Sequence, residues 1–310
     1  MMDFAPICLF TFNRLEETKT TVESLSNNLL SSESELFVFS DGPRNDIEKL
    51  KVQEVRDYLR EINGFKKIEI YESEINKGLA KSIIEGVSKI IEVHGKVIVV
   101  EDDLILSKNF LSFMNQSLNE YANTEDIFSV SGFSFKIKPP KDYSLDAYVW
   151  GRAHSWGWAT WNNRWGTIDW EIRDFEKFKI DKKLQREFNK YGSDLSNMLL
   201  ASMEGRVDSW FIRFTYNQFK KGKYTVFPVQ SKVVNNGFMQ NATHTNTYNR
   251  IKVLFDESEE VAFNFPKDIS IDSTIGRSVY RYKSLGYRIT GKFLTILMKV
   301  GLIKQRKTTI

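Results

Sequence analysis

The sequence predicts an α/β protein built on a doubly wound, mostly parallel central sheet flanked by helices, and three observations predict it. Short β-branched or aromatic runs alternate with amphipathic segments of helical length. One run, Val97-Ile98-Val99-Val100, is continuously apolar rather than alternating, as in a strand buried on both faces. That run leads directly into Glu101, Asp102 and Asp103, which places three carboxylates at the carboxyl end of a strand, where open α/β sheets bind ligands.

Taken in order, Pro6 to Phe12 is the first strand, and Asn13 is placed to cap a helix carrying Leu15, Val22, Leu25 and Leu29 on one side. Leu36 to Ser40 is a second strand, stopped by the turn signal Asp41-Gly42-Pro43. An amphipathic helix with Ile47, Leu50, Val55, Leu59 and Ile62 inward leads to a third strand, Lys67 to Tyr71. The loop Ser73 to Gly78, a helix from Leu79 to Val93 and the strand Val97 to Val100 follow. Ser107 is expected to cap a helix bearing Phe110, Leu111, Met114 and Leu118. After Gly132 the pattern changes: six of the seven tryptophans fall between Trp150 and Trp170. A helical region from Lys182 to Gly222, broken near Gly205 to Asp208, precedes a strand-like Tyr224 to Val229.

Composition narrows the function classes. With 41% hydrophobic and 14% aromatic residues in 310, the chain supports a large core and is not disordered. A net charge of +4 gives no reason to expect nucleic acid. Cys8 is the only cysteine, which excludes an intramolecular disulfide and points to a reducing compartment. The N-terminus lacks a basic n-region and no apolar run reaches a membrane span, so a cytoplasmic location is expected. In such a chain the triplets Asn115-Gln116-Ser117 and Asn241-Ala242-Thr243 carry no weight as glycosylation sites. Three histidines and one cysteine do not supply the Cys₄, Cys₃His or Cys₂His₂ set of a structural zinc site.

The chemistry concentrates in Glu101, Asp102 and Asp103. Adjacent carboxylates repel unless a cation compensates, and hard oxygen ligands suit Mg²⁺ or Mn²⁺. The obvious rival for VIVVEDD is the acidic strand of a P-loop ATPase, but no G-x-x-x-x-G-K-[ST] is present, and no G-x-G-x-x-G follows the first strand. A response-regulator receiver would carry its acids at the first strand.

In this order, PICLFTFNR, VFSDGP, INKGLAKS and VIVVEDDL resemble the GT-A glycosyltransferases that use nucleotide-sugar donors. The nearest resemblance is to the N-acetylglucosaminyltransferase I-like family and its bacterial sugar-transferase relatives. It covers residues 6–237, most densely through Phe113. It implies a GT-A domain over 1–265, with a nucleotide-binding half at 1–125 and an acceptor half at 126–265. On this resemblance Arg14 lies at the nucleotide pocket and Asp41 reads the uracil edge. Asp103 binds the metal, Asp102 the ribose and Glu101 the donor sugar, while the loop with Asn76 and Lys81 borders the donor. Without the resemblance, Arg14 and Asp41 read as a cap and a turn residue.

Inverting transfer needs one general base on the acceptor side. The family's W-D-D-W segment matches Val207-Asp208-Ser209-Trp210, which makes Asp208 the candidate base, or on its own terms a helix N-cap. Val207 and Ser209 depart from the pattern, and Arg213 stands one residue later than the family's phosphate-facing arginine. Ser155-Trp156-Gly157-Trp158 resembles the loop beneath the donor sugar. Trp156, Gly157, Trp158 and Trp210 are therefore candidates for sugar or acceptor contact, although about half of the tryptophans are expected in the core. His154 beside them reads as structural. Ser231 to Gly237 aligns with a loop that closes over the phosphates.

From Ser273 onward there is no acid, while Arg277, Arg281, Lys283, Arg288, Lys292, Lys299, Lys304, Arg306 and Lys307 accumulate around an apolar stretch, Phe293 to Ile303. Residues 266–310 thus read as a basic amphipathic tail, either a peripheral membrane contact through 277–307 or a solvated helix. The expected activity is metal-dependent, inverting transfer from a UDP-sugar to a glycan or lipid-linked glycan, in bacterial surface-polysaccharide or oligosaccharide synthesis. A carbohydrate-binding protein on a degenerate GT-A scaffold and a nucleotidyltransferase are the alternatives.

Overall fold

The structure, a computed structural model, describes residues 4–236 and 248–304. Gly237, the triplet Asn241-Ala242-Thr243, Arg306 and Lys307 lie outside the described residues. The first half runs β1 (Ile7–Thr11), α1 (Leu15–Ser26), β2 (Glu35–Ser40), α2 (Asp46–Glu61), β3 (Lys67–Glu72), α3 (Leu79–His94), β4 (Lys96–Glu101), β5 (Leu104–Leu106) and α4 (Phe110–Glu120). The second continues with β6 (Ile127–Ser131), β7 (Ala147–Trp150), β8 (Trp158–Trp161), α5 (Asn162–Trp165), α6 (Phe175–Ile180), α7 (Lys182–Asn189), α8 (Leu195–Met203) and α9 (Trp210–Lys220). The strands β9 (Tyr224–Pro228) and β10 (Val233–Asn235) and the helices α10 (Ser273–Lys283) and α11 (Leu285–Lys299) complete it.

Eight strands form one sheet in the order β3-β2-β1-β4-β8-β6-β9-β7. The β3-β2-β1-β4 block is parallel throughout, as the alternation of strands and helices predicts. β8 is antiparallel to both β4 and β6, β9 runs parallel to β6, and β7 is antiparallel to β9. β4 lies inside the sheet with Val97, Ile98, Val99 and Val100 fully buried, which is why its sequence does not alternate. β5 and β10 pair separately as a short antiparallel ribbon, which brings the 233–236 segment back beside the acids.

Several local expectations are corrected. Asn13 does not cap α1; its amide donates to Glu48 Oε1, and Arg14 takes the cap position without a capping bond. α1 ends at Ser26, so Leu29 falls beyond it and is exposed. In α2, capped by Asn45 through the Glu48 N–H, the buried residues are Val52, Val55 and Leu59. Ile47 and Leu50 are 82% and 75% exposed. Leu50 is two positions before Val52, roughly 200° around the helix, so both cannot face the sheet. Ser107 is not a cap either, because α4 starts only at Phe110 and Asn109 takes the cap position. The Ser107 hydroxyl instead donates to Asn109, whose amide donates to Asp256.

The chain beyond 265 docks on the second half through α10. Ile275 and Val279 are buried in a cluster with Phe133, Phe135, Tyr148, Trp150 and Phe227. α11 is different, since only Gly291 is buried along its length. Among the described residues no helix is long and apolar enough to cross a membrane.

Candidate active site

The crossovers from β1 to β2 and β3 travel one way along the sheet, and the next strand, β4, lies on the other side of β1. That reversal opens a crevice between β1 and β4 at their carboxyl ends, the place where doubly wound sheets hold ligands. A cavity of about 320 Å³ sits there, bordered by Phe10, Phe12 and Arg14 from β1 and its loop, Asp41 after β2, and Glu101 and Asp102 from β4. Asn76 and Gly78 close its side. The chain therefore brings together Arg14, Asp41, Asn76, Glu101 and Asp102 from four separate segments.

Arg14 dominates the electrostatics. Its guanidinium pairs with Asp102 and reaches Asp103 Oδ2 at 3.1 Å. Burial works against the charge on Arg14, but the two carboxylates hold it above its ordinary range. Burial pushes the Asp102 carboxyl up to about 6 despite Arg14, and burial together with Asp103 and Asp102 pushes Glu101 up to about 8. One cation faces three acids, and the repulsion that the sequence assigned to a metal is relieved here by a guanidinium. Replacing Arg14 with Met removes that partner. Because Arg14 is itself half exposed, the expected loss at pH 8 is only about 1–2 kcal/mol. Urea denaturation measures it, and an unchanged midpoint would show that the pair contributes nothing.

Asp41 is held by four donors. Its Oδ1 accepts from the N–H groups of Gly42 and Lys77 at 2.9 and 2.8 Å, and its Oδ2 from Gly78 N–H and the Asn76 amide at 3.0 and 3.1 Å. These fill the acceptor sites of a carboxylate. In this arrangement Asp41 anchors the 76–78 loop, and hydrogen-bonding a base edge would require one of these donors to let go. Two glycines are needed for the same loop. A Cβ on Gly42 would lie 2.4 Å from the Ile75 carbonyl carbon, and Gly78 has φ of +77°. Lys81 is outside the crevice lining; it points to Glu85 at 3.8 Å and is largely exposed.

The acceptor-side residues separate into two groups. Asp208 stands in the loop before α9 with its side chain 64% exposed. Its Oδ2 is 3.7 Å from where a Cβ on Gly78 would sit, at the rim of the crevice. The N-cap of α9 is Ser209, which accepts from Ile212 N–H, so Asp208 has no capping duty. Arg213 donates to Asp208 Oδ1 at 3.4 Å and to the carbonyls of Ser209 and Trp170, which positions that carboxylate. Trp158 and Trp210 are in the core instead. Trp158 is 1% exposed and its ring is sandwiched by Trp210 at 4.9 Å and Trp165 at 5.7 Å, leaving no face for a sugar. Trp156 is half-buried with its edge on Phe133, and Gly157 accepts from Gly132 N–H at 2.6 Å beneath β10. His154 stacks on Phe133 at 4.0 Å; burial, with Lys283 and Arg152, holds its imidazole well below the usual range, so it is structural.

Sequence reasoning missed Phe10, Phe12, Phe39 and Arg44 in the crevice wall. Phe10 and Phe39 are register partners on adjacent strands and stack at 5.0 Å, and Arg44 lies over Phe12 at 5.2 Å. Part of the signal was available: Phe10 near the end of β1 and Phe12 just beyond it are two positions apart, the spacing that sends extended-chain side chains to one side.

A divalent cation can be weighed against the donor set. Among the described residues no group of three or more His, Cys, Asp or Glu side chains converges as a cage. Mg²⁺, however, is commonly held by one or two carboxylates plus ligand phosphates. Asp102 Oδ2 is buried with no hydrogen-bond partner, and Asp103 is its neighbour, so this pair fits that second kind of site.

No protein-family profile matches the chain, and no curated protein matches it significantly. Among solved structures, residues 1–349 of TarS from S. aureus align with a TM-score of 0.39 and 12% identity, covering 72% of this chain and 57% of that one. The mannosyltransferase PcManGT from Pyrobaculum calidifontis, solved with GDP-Man and Mn²⁺, aligns with a TM-score of 0.38 and 11% identity, covering 72% of each. The chain thus spans little more than half of the TarS fragment. Similarities of this size assign no activity.

Proposed function

We propose that the protein is a GT-A-type glycosyltransferase that moves a sugar from a nucleotide-sugar donor, a UDP-sugar on the motif resemblance, to a glycan or lipid-linked glycan acceptor. The observation that carries the reading is the crevice at the β1/β4 reversal, where Arg14, Asp41 and the Glu101–Asp102–Asp103 acids come together with Asp208 at its rim. Phe10, Phe12 and Phe39 offer an apolar wall for a base, and Arg14 offers a cation to a diphosphate.

Mn²⁺ or Mg²⁺ on Asp102 and Asp103 would neutralise charge on a departing diphosphate. Arg14, released from the acids by the incoming charge, would donate to the phosphate oxygens. Asp208 would accept the acceptor hydroxyl's proton as that oxygen bonds to the anomeric carbon and the bond to the diphosphate breaks, its electrons leaving with the diphosphate. Attack opposite the leaving group inverts the anomeric centre. Burial of Trp158 and Trp210 weighs against a carbohydrate-binding surface built on those aromatics.

The reading is tested by incubating the protein with a panel of UDP-sugars and Mn²⁺ and following UDP release. Release from one sugar, abolished by Asp103→Ala, is expected. No release from any UDP-, GDP- or CDP-sugar, with or without oligosaccharide acceptors, would overturn it.

A further inference from the structure

A second cavity, of about 540 Å³, lies away from the crevice, between residues 248–251 and α11. Arg250, Arg288 and Lys292 line it, together with Thr295 and Ile296. Behind it, Arg152 and Lys283 share the surroundings of a single acid, Asp194. Both Asp194 oxygens are taken by Arg152, at 2.6 and 3.0 Å. Among the described residues no carboxylate pairs with Arg250, Lys283, Arg288 or Lys292.

Neutral groups aim these cations. Arg250 donates to the Tyr287 carbonyl at 3.0 Å and lies over the Tyr287 ring at 5.1 Å. Arg288 donates to the carbonyl and hydroxyl of Ser193 at 3.0 and 3.2 Å. Packing such charges together is unfavourable without a counter-charge, and burial together with Arg152 pushes Lys283 down to about 7. Two guanidinium forks and an ammonium around one cavity suit a phosphoryl group.

The neighbouring surface indicates the source of that group. Ile296, in the cavity wall, also belongs to a stripe with Leu285, Ile289 and Phe293, spaced by three or four residues along one face of α11 and continued by Val300 at its C-cap, all exposed. Arg288, Lys292 and Lys299 border the stripe, the arrangement of a helix lying in a membrane interface. We propose that this cavity binds the phosphate or diphosphate group of an anionic lipid while the apolar stripe of α11 rests in the bilayer surface.

Co-sedimentation with phosphatidylcholine vesicles, with and without phosphatidic acid, tests this in EDTA, which keeps divalent cations from the crevice. The protein should sediment with the acidic vesicles, and excess pyrophosphate should release it. Arg288→Gln and Lys292→Gln should each weaken binding about fivefold, while Lys299→Gln, outside the cavity, should weaken it less. Lys292 is exposed, so its variant stays informative if Arg288→Gln fails to fold. Equal losses for Lys292→Gln and Lys299→Gln would overturn the cavity as the site, leaving diffuse charge. Pyrophosphate binding that depends on Lys292 without any sedimentation would overturn the lipid as its source.

Discussion

Asp194→Asn is expected to destabilise the protein by about 3–5 kcal/mol, measured as a loss of unfolding free energy in urea. Arg152 is buried, its Nε has no partner, and both of its terminal nitrogens depend on Asp194. Removing the acid strands that guanidinium beside Lys283 with no counter-charge. The effect has a defined pH window. Burial alone would raise the Asp194 carboxyl, but Arg152 outweighs it and holds it at about 2, below its ordinary 3.8. A depressed folded-state pKa contributes stability that is complete above the unfolded value and is lost as pH falls through the folded one. The gap between wild type and variant should therefore hold steady above about pH 4 and narrow between about pH 4 and pH 2. A gap that instead widened in acid would mean that Asp194 is not the ionised partner.

Asp208→Asn is expected to lower the rate of sugar transfer by about 10²–10⁴ while leaving nucleotide binding unchanged. The side chain is exposed at the rim beside Gly78, held by Arg213, and does not cap α9. The substitution should therefore not affect folding. An amide preserves its size and its contact with Arg213 but cannot take a proton from a hydroxyl. Wild-type transfer by this variant would rule out Asp208 as the base. Lost nucleotide binding would place the residue on the donor instead.

The parallel half was legible because its signals are local. Four strand runs, a turn at Asp41-Gly42-Pro43 and the unbroken Val97–Val100 give order and type directly, and the acids fall at a strand end by sequence adjacency alone. The helix faces were less legible. Ile47 and Leu50 are as apolar as Val52, and the choice between their stripe and that of Val52, Val55 and Leu59 is made by tertiary packing, which spacing does not show. Long-range choices were not legible. Nothing in the spacing shows that Arg14 turns onto Asp102 and Asp103, or that Asp41 fills its acceptors with the 76–78 loop. Trp158 and Trp210 lie 52 positions apart, and their motifs point to a sugar site, but each buries its face on the other. Binary pattern cannot separate an aromatic that packs from one that binds.

The donor site at the β1/β4 crevice is tested most directly by calorimetric titration of UDP into the protein, first with Mn²⁺ and then with EDTA. Saturable binding with Mn²⁺ that disappears in EDTA and in Asp103→Ala is expected. Absence of binding by UDP, GDP and CDP under both conditions, in a protein that unfolds cooperatively, would contradict it.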